Sequence, residues 1–249
     1  MTKTFLITGA SAGLGSIFAT SIANIAKNII IIGRNKNRLI KLKNRLKKIN
    51  SKIYVLIITA DLSKENGVLS IFKKFESQEK IRFVDVLLNS AANFTVKEIE
   101  KVSFEELKKD FQLNVISPFL ISKYFGSKMK KKKNGIIFNI GSSSSYDCSK
   151  NTSIYCSTKH ALLGMTKAFN AEWHSQGVKS VLIAPGSMKT SMGKKVKNQD
   201  FNTFIDPLEV VKTIINLLNN NKSMFIDEVK IKRKIYRWVL KLILKIKMS

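Results

Sequence analysis

The chain has 249 residues, 44% of them hydrophobic, which is enough to bury a sizeable core and suits one α/β domain. Its only two cysteines, Cys148 and Cys156, do not have a Cys-x-x-Cys or metal-ligand spacing, which argues against a disulfide framework and a zinc site. The first residues lead directly into a short apolar run and a glycine loop, without the apolar segment of a signal peptide, so we expect a cytoplasmic protein.

The net charge is +27, from 44 Lys and Arg against 17 Asp and Glu. A field of this size attracts polyanions such as nucleic acids. However, the sequence contains no helix-turn-helix, zinc finger or interleaved basic and aromatic strand pattern. We therefore interpret the dispersed lysines as a solvated surface and expect no nucleic-acid partner.

Short apolar runs alternate with longer amphipathic or polar segments along the chain. The runs are "TFLIT", "NIIIIG", "IYVLIIT", "VDVLLN", "GIIFNIG" and "VKSVLIAP", and a last strand is expected in "MFIDEVKIKR". Continuous apolar runs indicate strands that are buried on both faces, and their alternation with helices is typical of a parallel sheet covered on both sides. We predict a doubly wound, Rossmann-like α/β fold that forms a single domain over residues 1–232.

A lysine run at residues 128–133 precedes the fifth predicted strand. Ligands of open α/β sheets bind at the opposite edge, beyond the carboxyl ends of the strands. We therefore interpret this run as helix C-terminal charges that the helix dipole favours.

A glycine loop, "TGASAGLG", follows the first strand and precedes the first helix. Gly9, Gly13 and Gly15 allow a tight turn, close approach of the backbone to a pyrophosphate and close packing of the helix. The position and composition of this loop predict a dinucleotide site.

The second strand ends in "IIGRN", which places Arg34 where NAD enzymes usually carry an acidic residue. The planar guanidinium can bind a 2′-phosphate through paired hydrogen bonds, which favours NADP(H). The alternative is that Arg34 only covers the adenine and that the site accepts either cofactor.

The stretch "TSIYCSTKHALLGMTKAF" reads as a helix with Tyr155 and Lys159 one turn apart on the same face. A free phenol, with a pKa near 10, exchanges its proton too reluctantly at neutral pH, and a neighbouring ammonium lowers that pKa. We therefore expect Lys159 to tune Tyr155 as an acid and base. His160 points about 100° away around the helix and is not expected to be catalytic.

These motifs together resemble the short-chain dehydrogenase/reductase family, classical type, over about residues 3–231. The family signature is T-G-x-x-x-G-x-G followed by Y-x-x-x-K, and further family elements are found in the same order as "LLNSAA", "LNVISPF", "FNIGSSSS" and "APGSMKT". The first of these departs from the family's N-N-A-G at Ser90 and Ala92.

The resemblance implies a catalytic tetrad and a set of cofactor contacts. Tyr155 would be the acid/base, Ser142 would hold the substrate oxygen, Lys159 would also bind the nicotinamide ribose, and Asn114 would hold a water that links Lys159 to solvent. The cofactor-binding residues implied are Gly9, Ser11, Gly13, Leu14, Gly15, Arg34, Asp61, Leu62, Asn89, Ala91, Tyr155, Lys159, Pro185, Gly186 and Thr190. No metal site is expected.

The predicted function is NADP(H)-dependent hydride transfer between the nicotinamide and a carbonyl or secondary alcohol, in a homo-oligomer such as a dimer. A dinucleotide-binding regulator or scaffold without turnover is the alternative. Residues 93–97, 146–152 and 187–204 are expected to select the substrate. Lysines in the last segment hint at an acidic or carrier-linked substrate; they are Lys189, Lys194, Lys195 and Lys197.

Residues 233–249 are expected to form a basic amphipathic helix, with the pattern beginning at Lys234. It is too short and too rich in lysine to span a bilayer, which takes about 20 largely apolar residues. The helix either packs on the domain or a second subunit, or lies on an anionic membrane surface with Trp238 near the headgroups. No acidic residue follows Glu228 to balance the lysines, which favours peripheral membrane binding.

Overall fold

Seven parallel strands form one sheet in the computed structural model, which describes residues 3–196, 199–219 and 224–234. The strands are Lys3–Thr8 (β1), Ala26–Gly33 (β2), Tyr54–Thr59 (β3), Val86–Asn89 (β4), Gly135–Ile140 (β5), Val178–Pro185 (β6) and Glu228–Ile231 (β7). Their order in the sheet is β3-β2-β1-β4-β5-β6-β7, so every predicted strand is present and the doubly wound fold is confirmed.

Helices connect the strands and cover both faces of the sheet. The helices are Gly13–Ser21 (α1), Lys36–Ile49 (α2), Glu65–Glu76 (α3), Phe104–Phe111 (α4), Ser117–Lys131 (α5), Ser153–Trp173 (α6) and Pro207–Asn219 (α7). The lysines of the run at 128–133 lie in and just after the last turn of α5, as predicted. Lys128 there pairs with Glu76 at 2.8 Å.

Two apolar layers flank the sheet because most residues of the central strands are buried on both faces. On one side, Phe18 and Val211 pack against β1 with the inner face of α2. On the other side, Phe75, Phe125 and Leu162 of three helices fill the second layer. Burial on both faces is the reason that the strands read as continuous apolar runs rather than as alternating ones.

The carboxyl ends of the strands meet at one edge of the sheet. Thr8 is in register with Asn89, and Asn89 with Asn139. The chain order reverses between β1 and β4, and a crevice opens at such a reversal. The glycine loop after β1 and the segments after β4, β5 and β6 are therefore brought to the same place.

A π-helical segment, Gln112–Ile116, joins α4 to α5. Asn114 lies in this segment and not in a regular α-helix. The physical reason is Pro118, whose missing N–H removes the donor that an α-helix would offer to the carbonyl of Asn114. Wide turns of this kind are frequent at functional sites.

The predicted amphipathic helix at 233–249 falls almost wholly outside the described residues, which end at Lys234. Arg233, the first residue of this segment, donates a hydrogen bond to the Thr203 hydroxyl at 3.1 Å. Among the described helices, none combines the length and the apolar character needed to cross a bilayer. The division of the chain at residue 232 stays a prediction.

Candidate active site

A cleft of about 660 Å³ opens at the carboxyl edge of the sheet. Most of the residues that the sequence singled out line it: Gly9, Ser11, Gly13, Leu14, Arg34, Leu62, Ala91, Ser142, Tyr155, Lys159, Pro185, Gly186 and Thr190. The fold thus brings residues from seven separate chain segments to one cavity. Within the described residues, no cluster of His, Cys, Asp and Glu side chains could hold a metal ion.

Two of the predicted cofactor residues lie behind the cleft wall instead. A side chain at Gly15 would come within 2.7 Å of the carbonyl oxygen of Gly9, so this glycine permits close packing of α1 on the loop. Asn89 is buried in the sheet and donates to Ser122 at 2.9 Å and to Asn139 at 2.8 Å. Both residues shape the site from within the fold.

The glycine turn is built to admit an anion. Gly9 and Gly13 have φ angles of 68° and 54°, a region that disfavours side chains, and a Cβ at Gly9 would lie 2.8 Å from the amide nitrogen of Ala91. The N-cap of α1, Ala12, offers no side-chain hydrogen bond, and the first turn holds no acidic residue. The first N–H groups of α1 therefore have no side-chain cap at the cleft, where a pyrophosphate would fit.

Two arginines stand at the outer end of the cleft, beside the glycine turn. Arg34 and Arg38 are both exposed and both line the cavity. Arg38 lies in the first turn of α2, where its backbone N–H is held at 3.0 Å by the side chain of Asn35. Sequence reasoning missed Arg38, although a second arginine so soon after Arg34, in "GRNKNR", would have indicated it.

Asp61 lies next to the cavity rather than on its wall, between the lining residues Ala60 and Leu62. Its carboxylate accepts hydrogen bonds from the N–H and hydroxyl of Ser63 at 3.1 and 2.8 Å. Burial alone would raise the pKa of Asp61, but the bonds from Ser63 and the charges of Arg34 and Lys64 outweigh it and lower that pKa. Asp61 is therefore a fixed negative charge close to Arg34.

Tyr155 and Lys159 are neighbours on the face of α6 that lines the cleft. The Lys159 Nζ lies 5.5 Å from the centre of the Tyr155 ring and donates to the carbonyl oxygen of Ile140 at 2.7 Å. Ser142 follows β5 and lines the same cleft, and its hydroxyl accepts the N–H of Ser144 at 3.1 Å. Among the serines that follow Ser142, Ser145 is buried, and its hydroxyl accepts the N–H of Ser142 at 3.3 Å.

The acidities of this pair differ from the sequence prediction. Burial raises the pKa of Tyr155 to about 12, although the bond from Ser142 opposes the change. Burial also lowers the pKa of Lys159 to about 8. The prediction that Lys159 holds the pKa of Tyr155 low is therefore wrong for this arrangement, because loss of solvent disfavours the charged form of both groups.

Asn114 connects the segment after β4 to α6. Its amide nitrogen donates to the carbonyl of Asn93 at 3.0 Å and to the hydroxyl of Thr158 at 3.1 Å, and its oxygen accepts from the N–H of Asn93 at 2.8 Å. The side chain is thus a clamp between two walls of the site. Its main-chain carbonyl, which faces no α-helical donor because of Pro118, is the group better suited to hold a water.

The segments expected to select the substrate contribute apolar side chains and exposed lysines to the cleft lining. Their apolar lining residues are Phe94, Val96, Met188, Met192 and Val196. The Phe94 ring meets that of Tyr155 edge to face at 4.7 Å. Lys195, which the sequence pointed to, lines the cavity and so does Lys150, which it did not.

The other lysines singled out in the sequence do not contribute to the described lining. Lys189 and Lys194 are absent from the cavity wall, and Lys197 lies outside the described residues. The Nζ of Lys194 instead stands 5.9 Å from the centre of the Phe201 ring. Which lysines of a loop reach a cavity depends on the loop's turn, which the sequence pattern did not reveal.

Comparison with known proteins gives a family match over most of the chain. The family model described as short chain dehydrogenase matches residues 3–200. A protein of Staphylococcus aureus (strain MRSA252), named as an uncharacterized oxidoreductase, is 24% identical over 230 residues, which cover 92% of this chain and 96% of that protein.

Two solved structures have closely similar folds. An alcohol dehydrogenase from the archaeon Thermococcus sibiricus, complexed with 5-hydroxy-NADP, matches with a TM-score of 0.84 and 25% identity over 95% of this chain and 98% of that one. A short-chain dehydrogenase from Sphingobium yanoikuyae, in complex with NADPH, matches with a TM-score of 0.80 and 22% identity over 99% and 95% of the two chains.

Proposed function

Because the chain belongs to the short chain dehydrogenase family, we propose that it is an NADP(H)-dependent oxidoreductase acting on a carbonyl or secondary alcohol. The observation that carries this proposal is the placement of Tyr155, Lys159 and Ser142 on one cleft, opposite the uncapped start of α1. Bound NADP(H) would supply or accept the hydride. The protein's own residues would bind the cofactor, orient the substrate and transfer the proton.

Tyr155 is the proton donor for carbonyl reduction. With its pKa raised to about 12, the phenol keeps its proton at neutral pH and can give it to the substrate oxygen. Ser142 orients that oxygen, and the ammonium of Lys159 stabilises the phenolate that is left. This last interaction favours the proton-transfer step, even though burial has the largest effect on the pKa of Tyr155 before the reaction.

Asn114 supports the return of the proton through its backbone rather than its side chain. Its carbonyl lacks an α-helical donor, and its side chain is hydrogen-bonded to Thr158, the residue before Lys159. A water held there would connect Lys159 to solvent. The amide clamp keeps this carbonyl in place.

Preference for NADP(H) rests on Arg34 and Arg38. Two exposed guanidinium groups at the ribose end of the cleft suit a phosphate dianion, which each can bind through paired hydrogen bonds. Both solved structures compared above hold an NADP-type molecule. The alternative, in which the arginines cover the adenine and either cofactor binds, predicts similar affinities for NADPH and NADH.

The substrate is a carbonyl compound with an apolar body and an anionic group. The apolar lining residues, such as Phe94, suit the apolar part of the substrate. The exposed lysines Lys150 and Lys195 suit its anionic group. Among the described lining residues there is no carboxylate to repel it. Such a compound includes an acyl group linked to an acidic carrier or a free keto acid.

A paired substrate series tests this class. We expect Lys150→Gln and Lys195→Gln to raise KM for a carbonyl that bears a carboxylate, and to leave KM for its uncharged amide analogue unchanged. Lys194→Gln is the matched control, since Lys194 shares a helical turn with Lys195 but does not line the cleft. Equal effects of all three variants would point to a general surface field instead.

The rival function is a dinucleotide-binding regulator without turnover. A screen of NADPH oxidation against ketones, keto acids and acyl thioesters decides between the two, with cofactor binding followed by fluorescence. Turnover that depends on Tyr155 supports the enzyme. NADPH binding with no turnover across the screen supports the regulator.

We also expect a homo-oligomer. Ile99 and Phe104 are 67% and 72% exposed, and Phe119 on α5 is 43% exposed, so large apolar side chains of this part of the chain face solvent. A second copy would cover them. Light scattering of the wild type and of Phe104→Lys tests this, with a shift toward the monomer mass as the expected result.

A further inference from the structure

A second groove, of about 850 Å³, lies on the far side of the loop that precedes α6. Ser149, Lys150 and Asn151 line both this groove and the active-site cleft, so the loop is a thin partition between them. Cys148 and Cys156 line the groove side only. A chemical change at these cysteines would therefore act on the wall of the cleft, although neither cysteine lines the cleft itself.

The chain's only two cysteines meet at this place. Both line the same groove, and the Cys156 Sγ donates to the carbonyl oxygen of Asp147, the residue before Cys148, at 3.9 Å. Cys148 is exposed, whereas Cys156 is buried, with 2% of its surface accessible. Cys156 is fixed at the start of α6, where its N–H bonds to the carbonyl of Thr152 at 2.8 Å. Cys148 lies on the loop, so it is the partner that can move.

The environment makes Cys156 the more acidic of the two thiols. Burial would raise its pKa, but hydrogen bonds with Cys148, Thr152, the N–H of Ser149 and Ser144 lower it overall. The bond with Cys156 is the largest cause that raises the pKa of Cys148 to about 11. The thiolate of the pair therefore forms on Cys156, and a thiolate is the reactive form of cysteine.

We propose that Cys148 and Cys156 form a reversible disulfide that displaces the partition loop and lowers turnover at Tyr155. The oxidant is hydrogen peroxide, which the groove is large enough to admit. The Cys156 thiolate attacks one peroxide oxygen and releases hydroxide, which leaves a sulfenic acid. The Cys148 sulfur then attacks that sulfur, and the oxygen leaves as water, so that two thiols and one peroxide give one disulfide and two waters.

Formation of the bond must move the loop. A disulfide requires the two sulfurs to close to about 2.05 Å, and both cysteines are free thiols in this structure. Since Cys156 is held by α6, Cys148 and the adjoining Ser149 and Lys150 shift toward the helix. A dithiol such as dithiothreitol reverses the change, as expected for a regulatory rather than a structural disulfide.

Full-length protein treated with equimolar peroxide, then with dithiothreitol, tests the proposal by peptide mass spectrometry. We expect a peptide pair joined through Cys148 and Cys156, with loss of two hydrogens, and recovery of both thiols on reduction. NADPH oxidation by the same samples should fall about tenfold or more and recover, because displacing a positioning wall by about 1 Å can cost about 100-fold. Tryptic cleavage after Lys150 should slow in the oxidised form.

Two variants make the result decisive. Cys148→Ser should keep the turnover of the reduced wild type and lose the reversible inhibition. Tyr155→Phe should still form the disulfide and show the slower cleavage, so these two readings do not depend on the proposed function. Thiols that stay free under peroxide, or a disulfide that changes neither cleavage nor turnover, would overturn the proposal.

Discussion

The Nζ of Lys159 lies 5.5 Å from the centre of the Tyr155 ring, and both side chains are buried. In such a pair, a neutral amine with a phenol and an ammonium with a phenolate hold the same number of protons. The proton that is lost near pH 8 therefore belongs to the pair as a whole, although it is the pKa of Lys159 that burial lowers to this value. The catalytic base can thus be formed well below the titration of an isolated buried tyrosine.

Replacing Tyr155 by Phe should abolish turnover and leave NADPH binding nearly intact, because only the proton donor is lost. We expect the rate to fall by about 100-fold to 10,000-fold, the range for loss of a general acid. Steady-state rates and nicotinamide fluorescence measure the two effects. Tyr54→Phe, on β3, is the control and should be unaffected; a Tyr155→Phe variant with normal turnover would reject the mechanism.

The pH profile should show the shared proton of Tyr155 and Lys159. Alcohol oxidation needs the pair with one proton removed, so its rate should rise with pH through about 8, the value to which burial lowers the pKa of Lys159. Carbonyl reduction needs both protons and should fall through the same pH.

The variant Lys159→Met isolates the origin of that titration. It leaves only Tyr155, whose pKa burial raises to about 12, so oxidation should stay slow until far more alkaline pH. Initial rates of the wild type and of Lys159→Met, measured in the same series of buffers, test this. An identical profile in the variant would show that another group titrates.

Cofactor preference should respond to Arg34. Arg34→Asp removes a partner of the 2′-phosphate and installs an acceptor for ribose hydroxyls, so NADPH should bind about 10-fold to 100-fold more weakly, as expected for the loss of one charged hydrogen bond or more. NADH binding should hold or improve. Arg45→Asp, exposed on the same side of the sheet in α2 but not on the cleft wall, is the matched charge control. Unchanged preference in Arg34→Asp would place the phosphate elsewhere.

The glycine turn can be tested against a glycine that has space around it. Gly9→Ala should lower both the unfolding temperature and the affinity for NADPH, since its Cβ would lie 2.8 Å from the amide nitrogen of Ala91 at a φ of 68°. Gly164→Ala, within α6, meets nothing within 4 Å and should raise the free energy of unfolding by about 0.5–1 kcal/mol. Normal NADPH binding by Gly9→Ala would contradict the role of the turn.

The pattern in residues 234–249 predicts binding to an anionic membrane surface. Full-length protein should co-sediment with vesicles of anionic lipid at low salt, and deletion from Lys234 onward should abolish this while sparing reductase activity. Neutral vesicles and high salt are the controls. A deletion that instead dissociates an oligomer would favour packing of this segment on protein.

The amino-acid sequence alone determined the fold and the chemistry of the central residues. Strands buried on both faces must be apolar throughout, so runs such as "NIIIIG" indicated the parallel sheet and the order of its elements. The four-residue spacing of Tyr155 and Lys159 is a local property of a helix, and the glycine loop is a local property of a turn. Such features need no knowledge of distant contacts.

Only the tertiary structure decided what depends on convergence and burial. Burial reversed the expected change in the pKa of Tyr155, because the loss of solvent is a sum over all surrounding elements. The hydrogen bonds between Asn114 and Asn93, and the groove that Cys148 and Cys156 share, join segments whose relative positions no local periodicity specifies. Lys150 lines the cleft whereas Lys194 does not, because the path of each loop, rather than its composition, directs its side chains.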